Sequence, residues 1–405
     1  MAESYHRIDI AIIGAGVIGC AIAWKLSQIY KDRAIFVFEK NPDVTEGENQ
    51  STRNSGVIHS GIYYDSETRP NKARFCVEGN ELLYSFCSKY QVPAIKTGKL
   101  IVATRDYEES ILEVYFSRAE DNGVSGIVTL TSAEIKAHEP NIRARAGLFV
   151  PSAGVVDPAS LVYRLYTLAA NEGVYFISRT TVVDIEPYGD GVNLKMEYPD
   201  GRVEDIQARM VINSAGVEAD RVCRKLNPAL QYELDPVRGE SYKFYSHKRP
   251  ELRLGGMNIY PTPELVETPF GNHFTVGIHL TPTFDNLDYP GRIGTTFTVG
   301  PKLVPVQDRD QWMETPCPPS VFYEKVHRYF PGIKEQDLIF HQMGLQAFHQ
   351  MGLQARLKGE EDFIVLPDME NGPAIHLLGI DSPGLTSCLS IAQAVARGVR
   401  ESKVI

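Results

Sequence analysis

Three glycines spaced as Gly14-Ala15-Gly16-Val17-Ile18-Gly19 stand between two apolar segments of different character, and this arrangement restricts the fold more than anything else in the chain. Before them, Ile8-Asp9-Ile10-Ala11-Ile12-Ile13 has the β-branched, mostly apolar make-up of a strand buried on both faces of a parallel sheet. After them, Cys20 to Tyr30 reads as a helix and Ala34 to Phe38 as a second strand, which ends at Glu39, 20 positions past Gly19. Strand, glycine turn, helix and strand make a βαβ unit. In such a unit Gly14 permits the tight turn, Gly16 lets the backbone approach a pyrophosphate, and Gly19 allows the helix to lie close on the strand. The first helical turn, with Val17 and Ile18, then offers free N–H groups and the positive end of the helix dipole to the phosphates. Glu39, with Lys40 beside it, stands where ribose hydroxyls need an acceptor, and its carboxylate would repel the extra phosphate of NADP. The motif does not separate NAD from FAD. No second fingerprint is found, so one dinucleotide is expected.

Composition narrows the function classes. With 43% hydrophobic and 23% charged residues, 33 Gly and 25 Pro in 405, the chain matches ordinary globular folds. Its longest uncharged apolar run, Ile10 to Trp24, is 15 residues and broken by three glycines, too short for a membrane span. A net charge of −10 without a basic run leaves nothing to hold a phosphate backbone, so nucleic acid is not an expected partner. The six cysteines are scattered without paired metal spacing, which points to a reducing compartment and to no metal site. Met1 to Arg7 shows neither a signal-peptide core nor a transit pattern. A cytoplasmic protein is expected, with contact at a membrane surface left open.

Farther along, Lys72 to Tyr90 has helical spacing of Phe75, Leu82, Leu83 and Phe86, and Gly98 to Ala103 returns to strand. A helix over Ala159 to Asn171 leads to strands at Val174 to Ile177, Thr181 to Ile185 and Val192 to Tyr198, and Ala208 to Ile212 runs into Asn213-Ser214-Ala215-Gly216. Tyr232 to Thr298 alternates aromatic and β-branched with polar residues, as an antiparallel sheet with one face on a cavity would. Ala374 to Leu378, the turn Gly379 to Gly384 and the helix Leu385 to Arg400 repeat the opening grammar. The expected fold is therefore α/β. A discontinuous Rossmann-like nucleotide-binding domain takes residues 1–85, 150–222 and 350–405, and a mixed or antiparallel-sheet substrate domain takes 86–149 and 223–349. The heptad His341 to Ala347 recurs word for word as His349 to Ala355, and a short duplication that lengthens a loop explains it better than a repeat architecture.

Three stretches speak for flavin. Ser51 to Gly61 is rich in small hydroxyl and amide groups and carries His59; Ala215-Gly216 ends a strand with residues that admit close backbone approach; Gly379 to Thr386 aims a second helix N-terminus at a ligand. Hydride reaching flavin N5 leaves negative charge near N1 and O2, which a helix dipole stabilises.

On Asn54-Ser55-Gly56-Val57-Ile58-His59-Ser60-Gly61-Ile62-Tyr63-Tyr64, together with Gly98 to Ala103, Gly154 to Asp157, Pro236 to Gly239, Asn258 to Pro261, Gly277 to Pro282 and Ser382 to Thr386, the chain resembles the FAD-dependent L-2-hydroxyglutarate dehydrogenase/oxidase family. That family lies within the D-amino-acid-oxidase and glycerol-3-phosphate-dehydrogenase superfamily. The resemblance runs from about residue 8 to 396. It implies non-covalent FAD held by Gly14, Gly16, Val17, Ile18, Gly19, Glu39, Lys40, Arg53, Asn54, Ser55, Gly56, His59, Val183, Ala215, Gly216, Ser382, Pro383, Gly384, Leu385 and Thr386. It further implies oxidation of a 2-hydroxy acid, L-2-hydroxyglutarate first, with O2 or a quinone as electron acceptor. At one place the chain departs from the pattern: Gln354 stands where relatives carry an arginine expected to hold a substrate carboxylate, with Arg356 two positions on.

Oxidising a hydroxy acid needs a base for the hydroxyl proton, and His59 and His279 are the candidates. A dicarboxylate needs cations or hydroxyls at both ends, for which Arg238, Tyr260, Lys302 and Arg356 are candidates, with Tyr64 facing the site. Cys388 reads as a small buried residue rather than a covalent flavin link, and the aromatic residues from Phe322 to Phe330 read as core. Competing readings are an amino-acid or amine oxidase, a glycerol-3-phosphate dehydrogenase, a NAD-dependent dehydrogenase and a non-catalytic flavin-binding protein. Oligomeric state is not encoded in any visible motif.

Overall fold

The apolar run that precedes the glycines is a strand, Arg7–Ile13, in which Ile10, Ala11 and Ile12 are wholly buried. Each isoleucine so placed contributes roughly 1.5–3 kcal/mol of burial free energy. The computed structural model describes residues 7–47, 49–268, 271–286, 288–306, 309, 315–340, 352–357 and 362–405, with backbone alone at 235–236, 265–268, 271–275 and 352–357.

Arg7–Ile13 lies parallel to Ile35–Phe38 on one side and to Val203–Asn213 on the other, with Ile10 opposite Ile35 and Ile12 opposite Ile212. The sheet runs Thr181–Tyr188, Gly191–Glu197, Val203–Asn213, Arg7–Ile13, Ile35–Phe38, Tyr175–Ile177, and Ala374–Leu378 also joins Val203–Asn213 in parallel. Two helices, Val17–Ile29 and Gly384–Ser402, pack against each other. Both follow a glycine-containing turn after a strand, so both point their N-termini past a strand's carboxyl end, the position from which open α/β sheets bind ligands.

A second sheet runs Leu338–Phe340, Leu234–Tyr245, Arg292–Pro305, His279–Asn286, Asn258–Pro261, Lys99–Ala103, Ala146–Val150, Val128–Thr131. The alternating pattern over Tyr232 to Thr298 points to a mixed or antiparallel sheet, and most of its pairing is antiparallel. Asn258–Pro261 instead runs parallel to Lys99–Ala103, with Asn258 opposite Lys99 and Tyr260 opposite Ile101. A strand flanked by partners far apart in sequence takes its direction from them, which local alternation does not record. Phe244, Phe297, Phe322 and Phe330 are buried together, so the aromatic stripe from Phe322 to Phe330 is core.

The chain divides into two compact units, Met1–Thr52 with Ala159–Pro236 and Gln354–Ile405, and Arg53–Pro158 with Val237–Leu353. These boundaries differ from the expected 85, 150, 222 and 350. Residues 53–85 group with the second unit because Val57–Ile58 pairs with Gly154–Val156, and because Asn80 on helix Pro70–Tyr90 donates to the carbonyls of His59 (2.8 Å) and Ser152 (3.0 Å). Residues 223–236 stay with the first unit, where Leu234 donates its N–H to Asp220 at 3.0 Å and packs with Ala219, Cys223 and Leu378. Residues 341–351, which hold the first copy of the duplicated heptad and the start of the second, lie outside the described residues.

Candidate functional site

In the first unit the glycine turn is closed from behind by the end of strand Val203–Asn213. Gly14 has φ +94°, and a Cβ there would stand 2.7 Å from the Ser214 carbonyl oxygen and 3.2 Å from Ala215 Cα. A Cβ on Gly19 would stand 1.9 Å from the Gly14 carbonyl oxygen. Helix Val17–Ile29 starts from Gly16 with no side-chain cap and no acidic residue in its first turn; Val17 N–H donates to Ser51 Oγ at 2.9 Å. Glu39 is buried, and its carboxylate accepts from Ala15 N (2.7 Å), Asn41 N (2.9 Å) and Asn41 Nδ2 (2.7 Å), which ties the end of the second strand to the glycine turn. An uncapped helix start, a backbone cradle with no room for side chains and a buried acid at the strand end fit the pyrophosphate and ribose of a dinucleotide.

Gly14, Gly16, Val17, Ile18, Gly19, Glu39 and Ala215 are thus brought together, with Gly216 opening the turn after Ala215. Lys40 faces solvent, and Val183 is half-buried at a bulge in the strand ladder between Val182 and Asp184. Helix Gly384–Ser402 also begins without a side-chain cap, after Ser382 and Pro383, and Gly384, Leu385, Thr386 and Ser387 are buried. Cys388 is buried inside this helix with its thiol pushed up to about 12 by burial, which fits the packing role.

In the second unit, Asn54 Oδ1 accepts from Gly56 N at 2.8 Å, fixing the loop that leads to His59; Arg53, Ser55 and His59 are half-buried. His279 opens strand His279–Asn286, is buried, stacks on Tyr260 with ring centroids 3.8 Å apart, and has Nδ1 3.1 Å from Thr281 Oγ1. Both imidazoles are held well below the usual histidine range, first by burial and then by the charge of Lys99, and His59 adds to the effect on His279. Two sequence candidates for the base therefore share one electrostatic neighbourhood.

Its centre is Lys99, a residue that the sequence presents only as part of a strand. The side chain is wholly buried, its Nζ lies 3.9 Å from the Tyr260 ring centroid and 5.0 Å from that of Tyr63, and among the described residues it has no hydrogen-bond partner. The available signal was a lysine opening a strand, Lys99–Ala103, that is buried at every position. Tyr63 has its ring beside this ammonium; Tyr64 is buried in the same hydrophobic cluster as Tyr63 and Tyr260, with its carbonyl accepting from Asn122 Nδ2 at 2.7 Å.

Burial lowers Lys99 from 10.5 to about 7. Below about 7 the folded chain carries a buried ammonium and bears its full desolvation cost. Between about 7 and 10.5 the folded lysine is neutral while the unfolded one still holds its proton, so stability rises with pH across that window. Lys99→Met removes the penalty. Chemical denaturation is expected to find the variant more stable by about 3–5 kcal/mol below neutrality, with the gap closing toward pH 10; a gap independent of pH would show that Lys99 is not charged in the interior.

Arg238 and Lys302 have surroundings of their own in the second unit. Arg238 is buried and ion-paired with buried Glu240, which also accepts from Cys317 N at 2.6 Å, so its charge is compensated within the fold. Lys302 is half-buried opposite Glu240 in the ladder. Arg356 lies on strand Gly352–Leu357, whose side chains are outside the described residues. Among the described residues no cluster of His, Cys, Asp and Glu could hold a metal, and no helix is long and apolar enough to cross a membrane.

Comparison with known proteins places this geometry. L-2-hydroxyglutarate dehydrogenase of Caenorhabditis elegans, a mitochondrial protein, is 30% identical over 385 residues, covering 93% of this chain and 83% of that protein. The Salmonella houtenae L-2-hydroxyglutarate dehydrogenase is 27% identical over 98% of this chain and 94% of its own. Among solved structures, FAD-bound L-alpha-glycerophosphate oxidase from Mycoplasma pneumoniae superimposes with TM-score 0.82 at 24% identity, covering 97% of this chain and 95% of that one. Glycine oxidase from Geobacillus kaustophilus gives TM-score 0.77 at 18% identity over 98% and 95% of the two chains, a likeness of fold. Residues 9–397 match the family described as FAD dependent oxidoreductase, and with the curated relatives this shows that the chain belongs to that family and groups with its L-2-hydroxyglutarate dehydrogenases.

Proposed function

We propose that the protein oxidises L-2-hydroxyglutarate to 2-oxoglutarate, removing hydride from C2 and the proton from the C2 hydroxyl. The observation that carries this reading is the pair of imidazoles, His59 and His279, held neutral by burial and by Lys99 in one cluster. Bound FAD supplies the two-electron acceptor for the hydride. His279 takes the role of the base: in the tautomer that carries its proton on Nδ1, Thr281 Oγ1 accepts that hydrogen and the Nε2 lone pair is left to take the hydroxyl proton. His59 stands as the second imidazole of the cluster and either relays that proton or orients the ring system. As C2–H leaves as hydride and O–H as a proton, the C2–O bond becomes the carbonyl, so electrons and protons balance. O2 or, at a membrane surface, a quinone would be the final electron acceptor of this oxidation.

Anaerobic flavin bleaching of the purified holoprotein tests this reading against L- and D-2-hydroxyglutarate, lactate, glycerol 3-phosphate, glycine, sarcosine and proline. L-2-Hydroxyglutarate is expected to bleach fastest. Faster bleaching by an amino acid would make the protein an amine oxidase, faster bleaching by glycerol 3-phosphate a phosphoglycerol dehydrogenase, and no bleaching by any compound would leave a flavin-binding protein without this activity.

A further inference from the structure

We infer that Lys99, whose ammonium lies over the rings of Tyr63 and Tyr260, is an anion subsite that takes a carboxylate of the substrate. The inference deepens the hydroxy-acid reading and rests on it for the identity of the acid.

The argument begins with charge. Among the described residues, every titratable group that faces the Lys99 ammonium is neutral near pH 7. Cys76, on helix Pro70–Tyr90, has its thiol pushed up by burial. Tyr63 and Tyr260 are likewise pushed up by burial, as is Tyr115, which meets Tyr63 edge-on from helix Asp106–Asp121. His59 and His279 are pushed down. No carboxylate contributes to the ionisation of Lys99, and its Nζ finds no acceptor among the described residues. Ring faces attract a cation but do not neutralise it. A buried ammonium without a counter-ion is costly unless a ligand brings one. Arg238, by contrast, has a built-in partner in Glu240.

Position gives the second support. Lys99 opens a strand whose parallel neighbour carries Tyr260, and Tyr260 stacks on His279. A carboxylate on Nζ would therefore lie beside the imidazoles that the proton transfer requires. It would also offset the positive charge that, with burial, keeps those rings from accepting a proton, so docking of the acid raises the basicity of the groups that act on it.

Because Lys99 ionises near neutrality in the free protein, docking a carboxylate draws a proton from solution above that range and not below it. Calorimetric titration of the FAD-loaded protein with glutarate, which lacks the oxidisable hydroxyl, in two buffers of different protonation enthalpy reads this uptake directly. At about pH 8 the wild type is expected to take up close to one proton per glutarate, and at about pH 6 much less. Lys99→Met is expected to weaken glutarate binding about 100-fold and to abolish the uptake. Lys99→Arg, charged at every pH, is expected to keep affinity within about tenfold with no uptake. Glutarate binding by Lys99→Met at wild-type affinity overturns the inference, as does wild-type uptake retained in Lys99→Arg; the arginine variant decides alone if the methionine variant loses its flavin. Failure of the substrate reading looks different: Lys99-dependent glutarate binding in a wild-type protein that L-2-hydroxyglutarate does not bleach would leave the subsite standing and replace the acid.

Discussion

Gly19→Val is expected to produce a chain that purifies without flavin and unfolds at markedly lower denaturant than the parent. The new Cβ alone would lie 1.9 Å from the Gly14 carbonyl oxygen and 2.9 Å from Ser214 Oγ. The first of these is backbone, held by the parallel ladder of Arg7–Ile13, and cannot rotate away. Helix Val17–Ile29 must therefore lift off the strand, which costs about 3 kcal/mol or more and moves the first-turn N–H groups away from the place a pyrophosphate occupies. Gly16→Ala makes a graded companion, since its Cβ would meet only the side-chain Ser51 Oγ, at 3.1 Å. That variant is expected to fold and to lose flavin affinity. The checks are flavin absorbance after desalting and the unfolding midpoint. Full flavin occupancy in Gly19→Val would remove the glycine turn from the cofactor site.

His279→Asn is expected to slow anaerobic flavin reduction by about 10²–10⁴-fold, the range that loss of a positioned base produces. Asparagine keeps a polar group near Thr281 but offers no nitrogen that accepts and holds a proton, and it forfeits the ring stack on Tyr260, itself worth about 0.5–1.5 kcal/mol. The pH profile distinguishes lost chemistry from lost packing. Burial and Lys99 hold the imidazole well below 6.5, so in the parent the reduction rate at saturating substrate is expected to fall on the acid side of that value, as the ring becomes protonated. His279→Asn should flatten this limb. His59→Asn, measured beside it, assigns the role: whichever variant loses the acid limb has lost the base. Reduction within tenfold of the parent in both variants would end the histidine mechanism.

The opening βαβ unit was legible because each of its parts is dictated locally. Only glycine tolerates φ +94° at position 14 and a backbone oxygen as close as the one facing position 19, and β-branched residues before the turn suit a strand buried on both faces. His59 and His279 stood out by residue type and place, one in the loop rich in small hydroxyl and amide groups and the other on a strand with cavity-like alternation. Lys99 did not, because a lysine in a strand ordinarily snorkels to solvent, and its burial follows from Asn258–Pro261 and Ala146–Val150 flanking it on either side. Arg238 looked like a substrate ligand until the fold placed Glu240 against it.

By itself the sequence determined the strand, glycine turn and helix of the opening unit and the place of Glu39 at the end of its second strand, since these depend on backbone sterics; it also offered two histidines as candidates, since imidazoles ionise near neutrality. Tertiary structure decided where residues 53–85 belong, which strand runs parallel, and which cation is left without a counter-charge among the described residues. Those outcomes depend on the solvation and partners of each group, and both are set by strands more than a hundred residues apart meeting in one sheet.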